Sequence, residues 1–291
     1  MAEPKKSATP TAALRMKQVD GTTPTVVFIN GLGETLEFWH PVTTRLTGLA
    51  MVRYDRAAQE LDQPEGSLSA EIQQLDEVVS HIDGPLVLVG HSYGGVLAES
   101  YARAHPERVV GLVLLDPSVP GEYADVDADG KVGVVQRGAQ SLLKSDAMRP
   151  VVKRALPWAM IGFGTRKGKT REIIAALPPE LAEHMSDPRH IARAQFDNTH
   201  IGGICAEALE QRGELDMPDI PVRLLVGRLG PRVWRKEQRS WVADQREQLP
   251  AFGAQAELTE LDGAHILMLD CPDEVAAAIR ATHASAASAP S

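Results

Sequence analysis

Leu86-Val87-Leu88-Val89-Gly90-His91-Ser92-Tyr93-Gly94-Gly95 is the stretch that decides the fold. Its first four residues are apolar and two are β-branched, which suits a strand buried on both faces. Glycines stand two before and two after a serine, and small residues continue as a helix to about Ala104, which His105-Pro106 ends. A serine on so tight a strand-to-helix turn must take strained backbone angles, and the glycines let the chains approach without clash. Its hydroxyl then stands above the sheet, with a helix N-terminus beneath any negative charge that develops there.

The same alternation extends on both sides. Ala12 to Val19 can make one short strand. Thr25-Val26-Val27-Phe28-Ile29 reads as a buried strand and ends in Asn30-Gly31-Leu32-Gly33. A helix is expected over Leu36 to Leu46, a strand over Ala50 to Tyr54, and a helix over Ser69 to Ile82, with Ile72, Leu75, Val78, Val79 and Ile82 on one face. Val109 to Leu115 is a further buried strand. Strands and helices alternating through short connections mean a doubly wound parallel sheet.

The pattern breaks from Pro120 to about Leu215, a stretch with helical patches and no clear strand. It resumes with Val222 to Val226 (strand), Arg235 to Gln248 (helix), Ala256 to Leu261 (strand) and Pro272 to Ala281 (helix). The expected fold class is therefore α/β, a mostly parallel doubly wound sheet with an inserted helical cap. Residues 13–119 and 216–281 would form the core, 120–215 the cap, and 1–12 and 282–291 mobile tails.

Composition narrows the function. With 43% hydrophobic and 24% charged residues, the 291-residue chain is of the soluble globular type. Thirty basic against 39 acidic residues leave a net charge of −9, a poor balance for a nucleic-acid binder. There is no run of 18 apolar residues to span a membrane and no apolar signal-peptide core at the start, so a cytoplasmic location is expected. Cys205 and Cys271 have neither metal-ligand spacing nor the makings of a disulfide framework.

In its strand–turn–helix setting, Gly90-His91-Ser92-Tyr93-Gly94 resembles the nucleophile elbow of the α/β-hydrolase superfamily, and the resemblance runs from about Thr25 to Arg280. Asn30-Gly31-Leu32-Gly33 sits where that superfamily usually has His-Gly-x-Gly. The match implies an oxyanion hole made by the backbone N–H groups of Leu32 and Tyr93. Asn30 departs from the usual histidine, but a backbone donor survives that change. Leu261-Asp262-Gly263-Ala264-His265 follows the last strand, where the superfamily keeps its catalytic histidine, so the resemblance makes His265 the general base.

The acid is less direct. After Val222 to Val226 the chain reads Gly227-Arg228-Leu229-Gly230-Pro231-Arg232, without a carboxylate. The superfamily's second solution places the acid after the preceding core strand, where Asp116 stands between Leu115 and Pro117. The plainer reading of Asp116 is a turn cap. Asp219 lies at the wrong end of its strand and Asp244 in a helix. Where the family often reads Asp-x-x-Gly-x-Gly-x-Ser, this chain has Asp55-Arg56-Ala57-Ala58-Gln59-Glu60-Leu61-Asp62. That loop must take another path, which can reshape one wall of the pocket but does not touch the chemistry directly.

Serine at the elbow excludes the haloalkane-dehalogenase and epoxide-hydrolase branches, which use aspartate there. What the resemblance implies is a serine hydrolase for an ester, thioester or lactone of a small hydrophobic acid, without cofactor or metal. Two alternatives stay open: an acyltransferase using the same serine, and a non-catalytic ligand-binding protein on a hydrolase scaffold.

The inserted stretch carries two further features. Asp125-Val126-Asp127-Ala128-Asp129-Gly130-Lys131-Val132 matches the start of a calcium loop, but its twelfth position is Gln136 rather than Glu, so a solvated acidic turn is the better reading. Lys131 to Arg171 holds ten basic residues and one acid, interleaved with Leu156, Trp158, Met160, Ile161 and Phe163. Such a stretch can engage a phospholipid surface, an anionic carrier or a CoA ester. The plainer reading is a solvated helix face whose apolar side closes the pocket. His184, His190 and His200 are not spaced as metal ligands.

Overall fold

The computed structural model describes residues 15–57, 66–123, 145–229 and 235–288. Seven strands form one sheet: β1 (Met16–Val19), β2 (Thr22–Ile29), β3 (Leu49–Tyr54), β4 (Leu86–His91), β5 (Val109–Leu115), β6 (Val222–Gly227) and β7 (Ala256–Leu261). Their spatial order is β1-β3-β2-β4-β5-β6-β7, and β1 alone runs antiparallel, against β3. All six residues of the central β4 are buried.

Period-two alternation sends successive side chains to opposite faces. Val27, Ile29, Leu88, Leu112 and Leu114 join one apolar layer, which α2 (Leu68–Val79) and α3 (Tyr93–Ala104) cover. Val26, Phe28, Val87, Val89, Val113 and Leu115 join the other. It lies beneath α1 (His40–Thr43), α10 (Leu267–Asp270) and α11 (Pro272–Ser288). Continuous apolar strands are thus the mark of a sheet clothed on both sides.

Between β5 and β6 lie only helices among the described residues: α4 (Pro120–Tyr123), α5 (Arg149–Gly164), α6 (Thr170–Ala176), α7 (Leu181–Met185) and α8 (Pro188–Glu214). Helix α9 (Arg235–Gln248) follows β6. Asp187 caps α8, accepting from the Arg189 N–H at 2.8 Å. Ile201, Ile204, Cys205 and Ala208 of α8 pack into the layer that holds α2 and α3.

A buried charge quartet fastens α8 more specifically. Arg56 donates to both carboxylate oxygens of Asp197 at 2.9 and 2.6 Å. Arg193 donates to Asp197 at 2.7 Å and to Glu71 of α2. Two cations against two anions cancel, and all four side chains are at most 4% exposed. Asp197→Ala would leave both guanidiniums short of an anion, so a loss of about 3–5 kcal/mol of unfolding free energy is expected in urea denaturation. A loss below about 1 kcal/mol would mean that the quartet does not fasten α8.

Two expectations change in detail. Over Leu36 to Leu46 the chain makes a 3-10 turn (Leu36–Trp39) and then the short α1, because Pro41 starts a new helical segment. The C-terminus does not become a tail at residue 282. Helix α11 continues to Ser288, with Thr282 and His283 buried. Ala-rich composition reads as a tail, yet alanine is the best helix former. Gly111 leaves the space beneath Thr282 that this packing needs. Among the described residues no helix is long and apolar enough to cross a membrane.

Candidate active site

Ser92 sits between β4 and α3 with φ 52° and ψ −122°. Close approach explains the glycines around it. A Cβ on Gly90 would run into the Gly94 carbonyl, and one on Gly94 into the Ile29 carbonyl. Asp116, at the end of β5, has φ 43°. These two are the only non-glycine residues with positive φ among the described ones. Such a conformation costs about 1–3 kcal/mol and persists only where neighbours over-determine it. Here the Ser92 N–H donates to the Leu115 carbonyl at 3.0 Å, the Ser92 carbonyl accepts from Gly95 and Ser118, and the Asp116 N–H donates to the Leu225 carbonyl at 2.7 Å.

His265 lies in the turn between β7 and α10 and meets both residues. Its Nδ1 is 2.6 Å from Asp116 Oδ2, and its Nε2 is 3.1 Å from Ser92 Oγ. A carboxylate only accepts, so Nδ1 carries the proton and the lone pair of Nε2 faces the serine hydroxyl. Asp116 is buried at 1% exposure. Its other oxygen, Oδ1, accepts from the Gly227 N–H at 3.1 Å and the Trp241 indole N–H at 3.0 Å. The Trp241 ring also stands edge-on to His265, 6.2 Å between centroids. The last residue of β6, a strand with no carboxylate after it, thus supplies a donor to the carboxylate that follows β5. Nothing in the sequence pattern singles out Trp241, a lone aromatic in a strongly polar helix.

The loop after β2 is pinned at almost every residue. Asn30 is buried and works as a strut: its Nδ2 donates to the Tyr54 carbonyl at 3.1 Å, and its Oδ1 accepts from the Trp39 indole at 2.7 Å. Asp55 accepts from the Leu36 N–H at 2.7 Å, holding the residues that follow the loop. Glu34 Oε2 accepts from the Gly31 N–H at 2.7 Å, and Oε1 lies 2.7 Å from His91 Nδ1. His91 Nε2–H then donates to the backbone carbonyl of His265 at 2.8 Å. Burial by itself disfavours a charged imidazole, but the adjacent Glu34 carboxylate outweighs it and raises the pKa of His91. His190 Nε2–H donates to the Gly33 carbonyl at 3.0 Å.

The loop that has lost its glycines touches the segments beside the site and not the Ser92, His265 and Asp116 side chains: Arg56 donates to the Gly31 carbonyl at 3.1 Å, and its guanidinium lies 4.9 Å from the centre of the Tyr93 ring. It therefore supports both segments expected to supply oxyanion donors. Tyr93 is the first residue of α3, where backbone N–H groups have no intrahelical partner. Leu32 is partly buried against the core at the loop's tip.

Other candidates fall elsewhere. Burial pushes the Cys271 thiol up to about 11 and the Cys205 thiol to about 12, which leaves both as packing residues. His184 faces Glu37 at 2.9 Å, and His200 bonds the Phe196 carbonyl at 2.8 Å. Among the described residues no three His, Cys, Asp or Glu side chains group as a metal site. Asp125 to Val132, Gln136, Lys131, Arg137 and Lys144 lie outside the described residues. Part of the remaining basic stretch is neutralised: Arg149 and Lys153 pair with Glu183, Lys169 with Glu172, and Arg166 with Asp270.

Comparison with known proteins gives the family of the chain. The pimeloyl-[acyl-carrier protein] methyl ester esterase of Sodalis glossinidius is 27% identical over 215 residues, covering 72% of this chain and 77% of its own. A haloalkane dehalogenase of Sphingobium indicum is 27% identical over 288 residues, covering 92% and 91%. Three further curated relatives match about a third of this chain, which spans only 23–40% of their lengths. Among solved structures, the enol-lactonase of Burkholderia xenovorans LB400 superposes with a TM-score of 0.62 at 18% identity, covering 92% of this chain and 95% of that one, a likeness of fold. The profile of the alpha/beta hydrolase family matches residues 26–278, and with that span the chain belongs to the alpha/beta hydrolase family.

Proposed function

We propose that the protein is a serine hydrolase that cleaves an ester, thioester or lactone of a small hydrophobic acyl group through an acyl-enzyme on Ser92. The observation that carries this reading is the unbroken line Ser92 Oγ, His265, Asp116, with spacings of 3.1 and 2.6 Å. His265 Nε2 takes the hydroxyl proton as Oγ attacks the carbonyl carbon, and Asp116 stabilises the imidazolium that forms. The Leu32 and Tyr93 amides receive the developing oxyanion. His265 returns the proton to the leaving alcohol or thiol. Water, activated by the same imidazole, then releases the acid.

The match to a dehalogenase does not carry that activity over. Displacement of a halide by Ser92 would leave an ether, which has no carbonyl for water to attack. The serine therefore favours acyl chemistry, in keeping with relatives named as an esterase and a lactonase. The departures that speak for a non-catalytic scaffold have structural counterparts: Asn30 braces its loop, and Asp116, at the end of β5, reaches His265 although no carboxylate follows β6. Transfer to an acceptor other than water would use the same serine.

An acyl-chain-length series of p-nitrophenyl esters, run beside the matching CoA thioesters, tests the substrate class. Turnover is expected to peak at short acyl chains and to vanish in Ser92→Ala. Folded protein that turns over no member of either series would contradict the reading.

A further inference from the structure

Helix α5 has two apolar faces, and the site uses one. Leu156, Met160 and Ile161 point inward and join the layer beneath the sheet, and Val152 is buried. Gly164 at its end accepts from the Ile266 N–H at 2.7 Å, one residue beyond His265. Asp270 then receives the Arg166 N–H and the Ala264 N–H, each at 2.8 Å, which ties the segment to the His265 turn. Met160 lies against Gly33 of the loop after β2. So α5 borders the candidate active site.

The opposite face is the unusual one. Val151, Arg154, Ala155, Trp158, Ala159 and Gly162 are exposed and share one face at spacings of three and four residues, and Phe163, in the last turn, is exposed beside it. Phe163 is 75% exposed, Val151 54% and Trp158 45%. Between Asp146 and Glu172 the chain holds seven basic residues and no acid. Of these, Lys153, Arg154, Lys167, Lys169 and Arg171 are exposed, with Lys153 paired to Glu183 and Lys169 to Glu172. This face offers aliphatic and aromatic surface and cations, but no side-chain acceptor. What fits it is apolar and anionic, without a pattern of hydrogen bonds to read.

We propose that this outward face of α5 is a docking surface for an anionic phospholipid layer. Val151, Trp158 and Phe163 would enter the boundary between headgroups and acyl chains, while Arg154, Lys167 and Arg171 meet the phosphates. The chain's net charge of −9 opposes this only at a distance, because at physiological salt charges beyond about 8 Å are screened. Docked in this way, α5 sets the rim of the candidate site against the lipid. The inference stands apart from ester cleavage, since binding is read without turnover.

The test is co-sedimentation of the full chain with vesicles of phosphatidylcholine alone or mixed with phosphatidylglycerol. Three proteins are compared: wild type, the double variant Trp158→Ser/Phe163→Ser, and the triple variant Arg154→Glu/Lys167→Glu/Arg171→Glu. Wild type is expected on the anionic vesicles, at least tenfold more than on neutral ones. Either variant should lose at least tenfold in binding while keeping its circular dichroism and its turnover of a soluble ester. Absence of vesicle binding, or binding that the double variant leaves intact, would overturn the proposal. So would capture by an acidic acyl-carrier protein without vesicle binding, or a dimer that Trp158→Ser/Phe163→Ser dissociates in sedimentation. Loss of ester turnover in every protein alongside intact vesicle binding would contradict the hydrolase reading and leave this one standing.

Discussion

Ser92→Ala is expected to lower kcat about 10⁶-fold, the scale on which a triad nucleophile acts. The expectation rests on geometry. Among the described residues no other hydroxyl or thiol has its place: the two cysteines are buried with raised pKa values, and Ser92 Oγ is the atom that faces His265 Nε2. The substitution removes one oxygen and leaves the Cβ, so the strained turn, its glycine contacts and the bonds to Leu115, Gly95 and Ser118 all stay. Wild-type thermal stability together with lost turnover of a p-nitrophenyl ester is the expected pair of results. Turnover within tenfold of wild type would remove Ser92 from the chemistry.

Asp116→Asn is expected to cost about 10⁴ in kcat, and the donors around it say why. Gly227 and Trp241 both point N–H groups at Oδ1. An asparagine there must turn its amide oxygen to those donors and its NH₂ toward His265. Nδ1 would then have to accept, so the ring proton moves to Nε2 and the lone pair that takes the serine proton is gone. Asp116→Ala loses the carboxylate as well and leaves two buried donors without an acceptor, so it should also destabilise by about 1–3 kcal/mol. Steady-state kinetics of Asp116→Asn, with folding checked by circular dichroism, measures the effect. Near-wild-type turnover would make Asp116 the turn cap of the plainer reading.

Much of the fold was legible because burial on both faces leaves a local mark. The continuous apolar runs at Thr25–Ile29, Leu86–Val89 and Val109–Leu115 become β2, β4 and β5 at the centre of the sheet. Ser92 was legible for a related reason: the turn demands glycines at fixed offsets, and an offset is visible in sequence. His265 and Asp116 were legible as positions after strands, and the structure brings both to hydrogen-bond distance.

What was not legible depends on partners far along the chain. A lone arginine such as Arg56 reads as a surface residue, and it can be buried only because Asp197, 141 residues away, folds against it. The Trp241 contact with Asp116 spans 125 residues and needs α9 laid across the end of the sheet. Glu34, in the loop after β2, and His91, at the end of β4, meet across the sheet, and the bond from His91 to the His265 carbonyl exists only once the sheet is assembled. Helix α11 beyond residue 281 went unread because only Thr282 and His283 are buried there among Ala and Ser, a composition that reads as a tail.

The central claim is that Ser92 becomes acylated during turnover. Rapid acid quench of the enzyme with a p-nitrophenyl ester, followed by peptide mass mapping, tests it most directly. The account predicts the acyl mass on the peptide carrying Ser92, formed at the rate of the nitrophenol burst and absent from Ser92→Ala. Ester turnover with no acyl adduct in the quenched protein, or with the adduct on another residue, would contradict it.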